Sequence, residues 1–167
     1  MNLKEKKIST QQIFNGEVLH VEVDTVSTPN GNIATREMVR HPGGVCIIAV
    51  DDDGNVNRCV NLGWGVFNLH QELRALTGLP VKAGNDELEE ETGLKARRFI
   101  PMGKMYPTPG FCDEVDYIYL ALDLYGGEAN PDADEIILLE KIPLEKLCDM
   151  VMNNEISDAK TALAVLK

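Results

Sequence analysis

Basic residues are scarce in this chain: 16 Lys and Arg face 27 Asp and Glu, for a net charge of −11. A nucleic-acid backbone is held by clustered cations, so this balance argues against RNA or DNA as a partner. It does not exclude a small phosphate ligand, because a bound metal ion reverses the local sign. Only four cysteines occur, Cys46, Cys59, Cys112 and Cys148, with no C-x-x-C pair and no metal-type spacing. That argues against a zinc cage of the usual pattern and suits a reducing cytoplasm. The three histidines, His20, His41 and His70, are scattered, and none is assigned to a metal. No apolar run approaches the roughly 20 residues of a membrane span, and the start of the chain lacks the apolar core of a signal peptide. The missing apolar span makes a soluble protein the expectation, and internal repeats and low-complexity linkers are also absent.

What is there fits one domain. A chain of 167 residues can bury about 70% of its unfolded surface without covalent staples. The segment from His20 to Val26 alternates with period two, and Pro29-Asn30-Gly31-Asn32 turns it into a second strand ending near His41, which predicts a hairpin. Val45-Cys46-Ile47-Ile48-Ala49-Val50 is continuously apolar, as in a strand covered on both faces. Asp52 to Asn55 then turns the chain into a strand from Val56 to Val60. Between Asn61 and Gly84 the Gly and Pro punctuation leaves no 2.0 or 3.6 period, and no element is assigned. Further on, strands are expected over Arg97–Met105 and Val115–Leu124, a loop over Pro107–Asp113, and helices over Pro143–Asn153 and Asp158–Lys167. Asp158, Lys160 and Thr161 are expected to cap and orient the last helix. Trp64 is read as a core or loop plug, with stacking on a base as the alternative, and Gly43-Gly44 as a close backbone approach or a turn.

The chemistry concentrates in Glu87-Leu88-Glu89-Glu90-Glu91-Thr92-Gly93-Leu94. On a helix Glu87, Glu90 and Glu91 fall at i, i+3 and i+4 and share one face, with Gly93 placed to end the helix just beyond them. Carboxylates gathered without an intervening cation suit a hard divalent ion such as Mg²⁺. The bland alternative is a solvated acidic face.

These residues match the end, E-U-x-E-E-x-G-U, of the box G-x5-E-x7-R-E-U-x-E-E-x-G-U, and the chain thereby resembles the Nudix hydrolases. Pro29-Asn30-Gly31, Arg36 to Gly43, Tyr106 to Glu114 and Ile156 to Thr161 resemble that family's ADP-ribose pyrophosphatase branch, in the expected order. Pro109 stands about fifteen residues past the box, a spacing associated in the family with ADP-ribose. The resemblance implies an α/β (α+β) fold, an α/β/α sandwich with a mixed sheet and an N-terminal antiparallel hairpin. It implies a single domain over 1–167, with strands in 1–42 that pair subunits into a homodimer and the catalytic fold in 43–167. The activity implied is hydrolysis of ADP-ribose, or a related nucleoside diphosphate sugar, to AMP and a sugar phosphate. Mg²⁺, with Mn²⁺ as an alternative, would be held by Glu87, Glu90 and Glu91. Glu114 would act as base or position the water, and Arg36, Glu37, Pro109 and Gly110 would bind substrate.

The box also departs from its pattern. Asp86 stands in place of Arg, Gly78 in place of Glu and Glu72 in place of Gly, and the P-A-G before the box is missing. The departures support a second reading, a catalytically impaired Nudix-fold protein kept for nucleotide binding or interaction. They also suggest a reading-frame slip between about residues 58 and 86. Codons for Arg58 to Gly63 shifted by one base permit Val-Arg-Gln-Phe-Arg, and those for Ala83 to Asp86 permit Gly-Lys-Arg directly before Glu87.

Overall fold

The computed structural model describes residues 3–61, 80–130 and 137–167. Contacts divide the chain into two compact units, one of residues 1–43 and 106–115, the other of 44–105 and 116–167.

The first unit is built on three antiparallel strands in the order β1 (Lys6–Asn15), β2 (His20–Ser27) and β3 (Ile33–Arg40). The β2–β3 pair is the expected hairpin, in unbroken register from His20↔Arg40 to Ser27↔Ile33. Gly31 takes φ +86° at its turn, a left-handed conformation that costs glycine little. Strand β1 was not expected, and its geometry explains why. The pairing shifts between Lys7 and Ser9 and again between Gln12 and Phe14, so Ile8 and Ile13 drop out of register and the period-two signal is broken. Every residue of β1 is exposed. The segment 106–115 lies along the end of β3: the Val39 amide donates to Phe111 O at 2.8 Å and the Asp113 amide to Val39 O at 3.2 Å. Gly43, at φ +96°, is where the backbone comes close, since a Cβ there would lie 2.8 Å from Val115 O.

The second unit is a five-stranded mixed sheet in the order β6 (Leu94–Met105), β7 (Asp116–Gly126), β4 (Gly44–Val50), β5 (Asn55–Asn61) and β8 (Ile137–Pro143). Among the described strands of this sheet, β4 and β7 alone pair parallel. Helix α1 (Pro80–Thr92) covers one face, and α2 (Leu144–Met152) and α3 (Ala159–Leu166) cover the other. The continuous apolar run of β4 follows from this. Cys46 and Ile48 pack with Ile118, Leu147, Val151 and Val165, while Ile47 and Ala49 pack with Leu88, Ala96 and Ala121. Each fully buried Leu or Ile of this kind stabilises the fold by about 1.5–3 kcal/mol.

Helix α1 begins at Pro80, inside the stretch left unassigned from the sequence. Pro is favoured in a first helical turn, where its missing N–H is not needed. Ala83-Gly84 reads as a loop signal, yet Gly84 is the contact point of the helix. A Cβ there would meet Val45 Cγ1 at 3.2 Å and Ile47 Cδ1 at 3.3 Å. On α3, Asp158 caps as expected, accepting from the Thr161 amide at 2.6 Å. Lys160 acts elsewhere: its Nζ lies 3.1 Å from the carboxylate of Asp116, a wholly buried residue at the start of β7.

Candidate functional site

Helix α1 is ordered around the stripe Gly84, Leu88 and Thr92, all buried. At 100° per residue Glu91 and Glu87 flank that stripe on one side and Glu90 lies farther round, toward water. Their exposures follow suit: Glu87 and Glu91 are half-buried and Glu90 is exposed. The helix stops where the sequence says it should. Gly93 adopts φ +66°, its amide donates to Glu89 O at 2.8 Å, and β6 starts at the next residue. Thr92 locks the same end, its hydroxyl donating to Leu88 O and accepting from the Leu94 amide at 3.0 Å. The three carboxylates therefore stand on the last turns of a helix anchored at both its core stripe and its terminus.

Glu89 is turned away from this use. It pairs with Lys95 at 2.7 Å, and that hydrogen bond, against an opposing desolvation, holds its carboxyl below the usual range. Lys95 is raised in turn, mainly by Glu89, with a small contribution from Asp86. Asp86 sits four residues before Glu90, so the helix places like charges at i, i+4 where the box would place an Arg–Glu pair.

Carboxylate oxygens are the donors Mg²⁺ takes. Among the described residues no three His, Cys, Asp or Glu side chains close on one point as a ready-made metal cage. Mg²⁺ is commonly held by one or two carboxylates, with waters and substrate phosphates completing the shell. The donor set of α1 fits that mode of binding.

In the first unit, Pro109 and Gly110 are exposed on a turn in which the Phe111 and Cys112 amides donate to Thr108 O at 3.3 and 3.0 Å. Glu114 is half-buried, with its Oε1 4.0 Å from His41 Nδ1, the same ring nitrogen that accepts from the Gly43 amide at 3.2 Å. Arg36 and Glu37 stand on β3 opposite Asp24 and Val23. Arg36 is forked onto Glu5, with Nε 3.1 Å from Oε2, and Glu37 is exposed. The structure thus gathers Glu87, Glu90 and Glu91 on one helix of the second unit, and Arg36, Glu37, Pro109, Gly110 and Glu114 on the strand and loop of the first. Gly78, Glu72, Trp64, His70 and most of the suggested frame-slip segment lie outside the described residues.

Sequence reasoning missed Arg40 and Asp113 as partners. Arg40 Nη1 lies 3.1 Å from Asp113 Oδ2, and the His41 amide donates to Asp113 Oδ1 at 2.9 Å. The signal was present, as adjacent Arg-His and Asp-Glu pairs in two family-like segments, but nothing in the spacing says that they meet.

No protein-family model matches the chain. Among curated proteins it is similar to an ADP-ribose pyrophosphatase of Bacillus subtilis, 33% identical over 98% of this chain and 92% of that one. It is 34% identical to a methanol dehydrogenase activator of Bacillus methanolicus, over 97% of this chain and 91% of the relative. An ADP-ribose pyrophosphatase of Mycobacterium tuberculosis is 34% identical over 70% of this chain and 59% of its own length. Among solved structures, an ADP compounds hydrolase superposes with a TM-score of 0.78 over 98% of this chain and 91% of that chain, at 20% identity, a likeness of fold.

Proposed function

This chain belongs to the ADP-ribose pyrophosphatase branch of the Nudix hydrolases, enzymes that cleave nucleoside diphosphate compounds, and from that premise we propose that it hydrolyses ADP-ribose to AMP and ribose 5-phosphate in a divalent-cation-dependent reaction. The observation that carries the proposal is the carboxylate face of α1, Glu87, Glu90 and Glu91, ended by the left-handed Gly93 at a helix-to-strand junction. Mg²⁺, or Mn²⁺ in its place, when bound by these residues, supplies charge neutralisation of the diphosphate and activation of a water.

The protein's own part is orientation and proton handling. Glu114 holds the attacking water and takes its proton as the water oxygen bonds to phosphorus and the P–O bond of the anhydride breaks, a task suited to a half-buried carboxylate. Arg36 and Glu37 engage the nucleoside end of the substrate, and Pro109 and Gly110 shape the loop against it. Arg36 must then exchange Glu5 for substrate, which an exposed ion pair worth about 0–1 kcal/mol permits. The chain acts as a homodimer paired through its N-terminal strands. Exposed Ile8, Ile13, Phe14 and Ile33 in the first unit support that reading. Free Cys46, Cys112 and Cys148 support a reducing cytoplasm as its compartment.

Asp86 favours a second reading, a nucleotide-binding protein of low turnover, because it adds a negative charge beside Glu90. Incubation of the purified protein with ADP-ribose and Mg²⁺ tests the two. AMP release that stops on chelation supports hydrolysis. Saturable ADP-ribose binding with no AMP supports the second reading, and AMP release undiminished in chelator contradicts the cation requirement.

A further inference from the structure

Asp113 immediately precedes Glu114, and both oxygens of its carboxylate are taken by neighbouring residues at the end of β3: Oδ2 by the Arg40 guanidinium at 3.1 Å and Oδ1 by the His41 amide at 2.9 Å. The other nitrogens of Arg40 point back into the sheet. Nε lies 2.9 Å from Glu22 Oε2 and Nη2 3.2 Å from Asp24 Oδ2, both on β2. Asp24, 5% exposed, also accepts from the Thr10 hydroxyl at 2.6 Å and from Lys7 Nζ at 3.2 Å, so the web begins on β1. One guanidinium thus bridges three carboxylates, and it is fixed on two sides before it reaches the loop. A lysine cannot replace that fork, because its ammonium has no planar array of separated donors.

We propose that Arg40 is a positioning residue whose guanidinium, held by Glu22 and Asp24, clamps Asp113 and thereby sets the conformation of the loop 106–115 that carries Glu114. Electrostatics agree with the geometry. Glu22, then Asp113, outweigh desolvation to strengthen the hold of Arg40 on its proton. At Asp113 desolvation pushes the carboxyl up, but the His41 amide and Arg40 outweigh it and hold the group below the usual range. The kinetic part of the proposal rests on the reading of Glu114 given above; the structural part does not.

Hydrogen–deuterium exchange of the full-length protein, wild type against Arg40→Met, Arg40→Lys and Asp113→Asn, tests the clamp alongside steady-state kinetics with ADP-ribose. In Arg40→Met, exchange of the amides in 106–115 rises about tenfold, while β4, α2 and α3 keep their protection. Arg40→Lys behaves like Met rather than rescuing. Asp113→Asn, which keeps an acceptor for the His41 amide, falls between. The kinetic consequence is a kcat lowered about tenfold with KM little changed. Unchanged loop exchange in Arg40→Met, or full rescue by Lys, overturns the clamp. Should Arg40→Met not fold, Asp113→Asn decides alone, because Asp113 is 42% exposed in its side chain. Loosening confined to β1–β3 would mean a merely structural role and also overturns it. A wild type without turnover removes the reading of Glu114 and leaves the exchange comparison to judge the clamp.

Discussion

At Asp86 one side chain opposes the chemistry of its neighbours. The residue stands one turn before Glu90 and adds a negative charge to a helix already carrying Glu87, Glu90 and Glu91. Like charges at i, i+4 cost a few tenths of a kcal/mol on a helix, and an Arg there would convert repulsion into pairing. Exchanging a repulsion for a pairing of similar size amounts to about 0.4–1 kcal/mol, so Asp86→Arg is expected to tighten the apparent Mg²⁺ constant a few-fold, read from a magnesium titration of AMP release. Cys46 gives a second residue-level test. Burial, reinforced by Asp158 and Asp116 and opposed by Lys160, pushes its thiol up to about 12. Since only the thiolate is nucleophilic, Cys46 should resist iodoacetamide at mildly alkaline pH in the folded protein and react on denaturation, as peptide mapping would reveal.

The same residues show what was legible in the chain. Asp158 before a helical pattern and Gly93 after one are local signals, because a cap is a contact between groups three or four residues apart, and both act as expected. Lys160 looked like part of the same cap, but its partner Asp116 lies far off in sequence, at the start of β7. Arg40 and Asp113 are likewise joined only by the fold.

Among the elements, β4 is the clearest from sequence, because helices on both faces demand an unbroken apolar run. Strand β1 is the least clear, because its two register shifts erase the alternation. Helix α1 was half legible: its acidic end was found, whereas its first turns hid behind Gly84, whose lack of a side chain lets the helix approach Val45 and Ile47. The docking of α1 on the sheet depends on Leu88, 5% exposed among Ala49, Ala96 and Ala121. Leu88→Ala should destabilise the protein by about 2–5 kcal/mol, measured by urea unfolding. Magnesium affinity should fall with it, because the carboxylates ride on the same helix.

Across the whole molecule, acid stability follows from how its carboxylates are held. Asp24 is kept below its ordinary value of 3.8 by the Thr10 hydroxyl and, against desolvation, by Lys7 and Arg40. Asp51 is kept low by the Asn55 amide and Lys141, and Glu89, below an ordinary 4.5, by Lys95. With Asp113, each binds its proton less readily folded than unfolded. Their stabilisation is thus fully present above the ordinary carboxylate values and is lost as pH falls through the folded ones. The melting temperature should hold down to about pH 5 and decline steadily below it, to about pH 2, and Asp24→Asn should flatten that decline. A flat wild-type profile would contradict this ion-pair account. Hydrophobic pattern made most strands and helices readable from the chain, and the resemblance to the Nudix family supplied their layering. The frame slip suggested between about residues 58 and 86 is decided by the nucleotide sequence, which fails the idea if the shifted frame lacks the box.

On the reading proposed above, the carboxylates of α1 form a working cation site for cleavage of a diphosphate. Release of AMP from ADP-ribose at saturating Mg²⁺, compared between wild type and Glu90→Gln, tests it most directly. Turnover is expected in the wild type, with a loss of at least about 100-fold in the variant, equivalent to about 2.7 kcal/mol of transition-state stabilisation, and an unchanged melting temperature. Equal turnover in the two proteins, or none in a folded wild type, would contradict it.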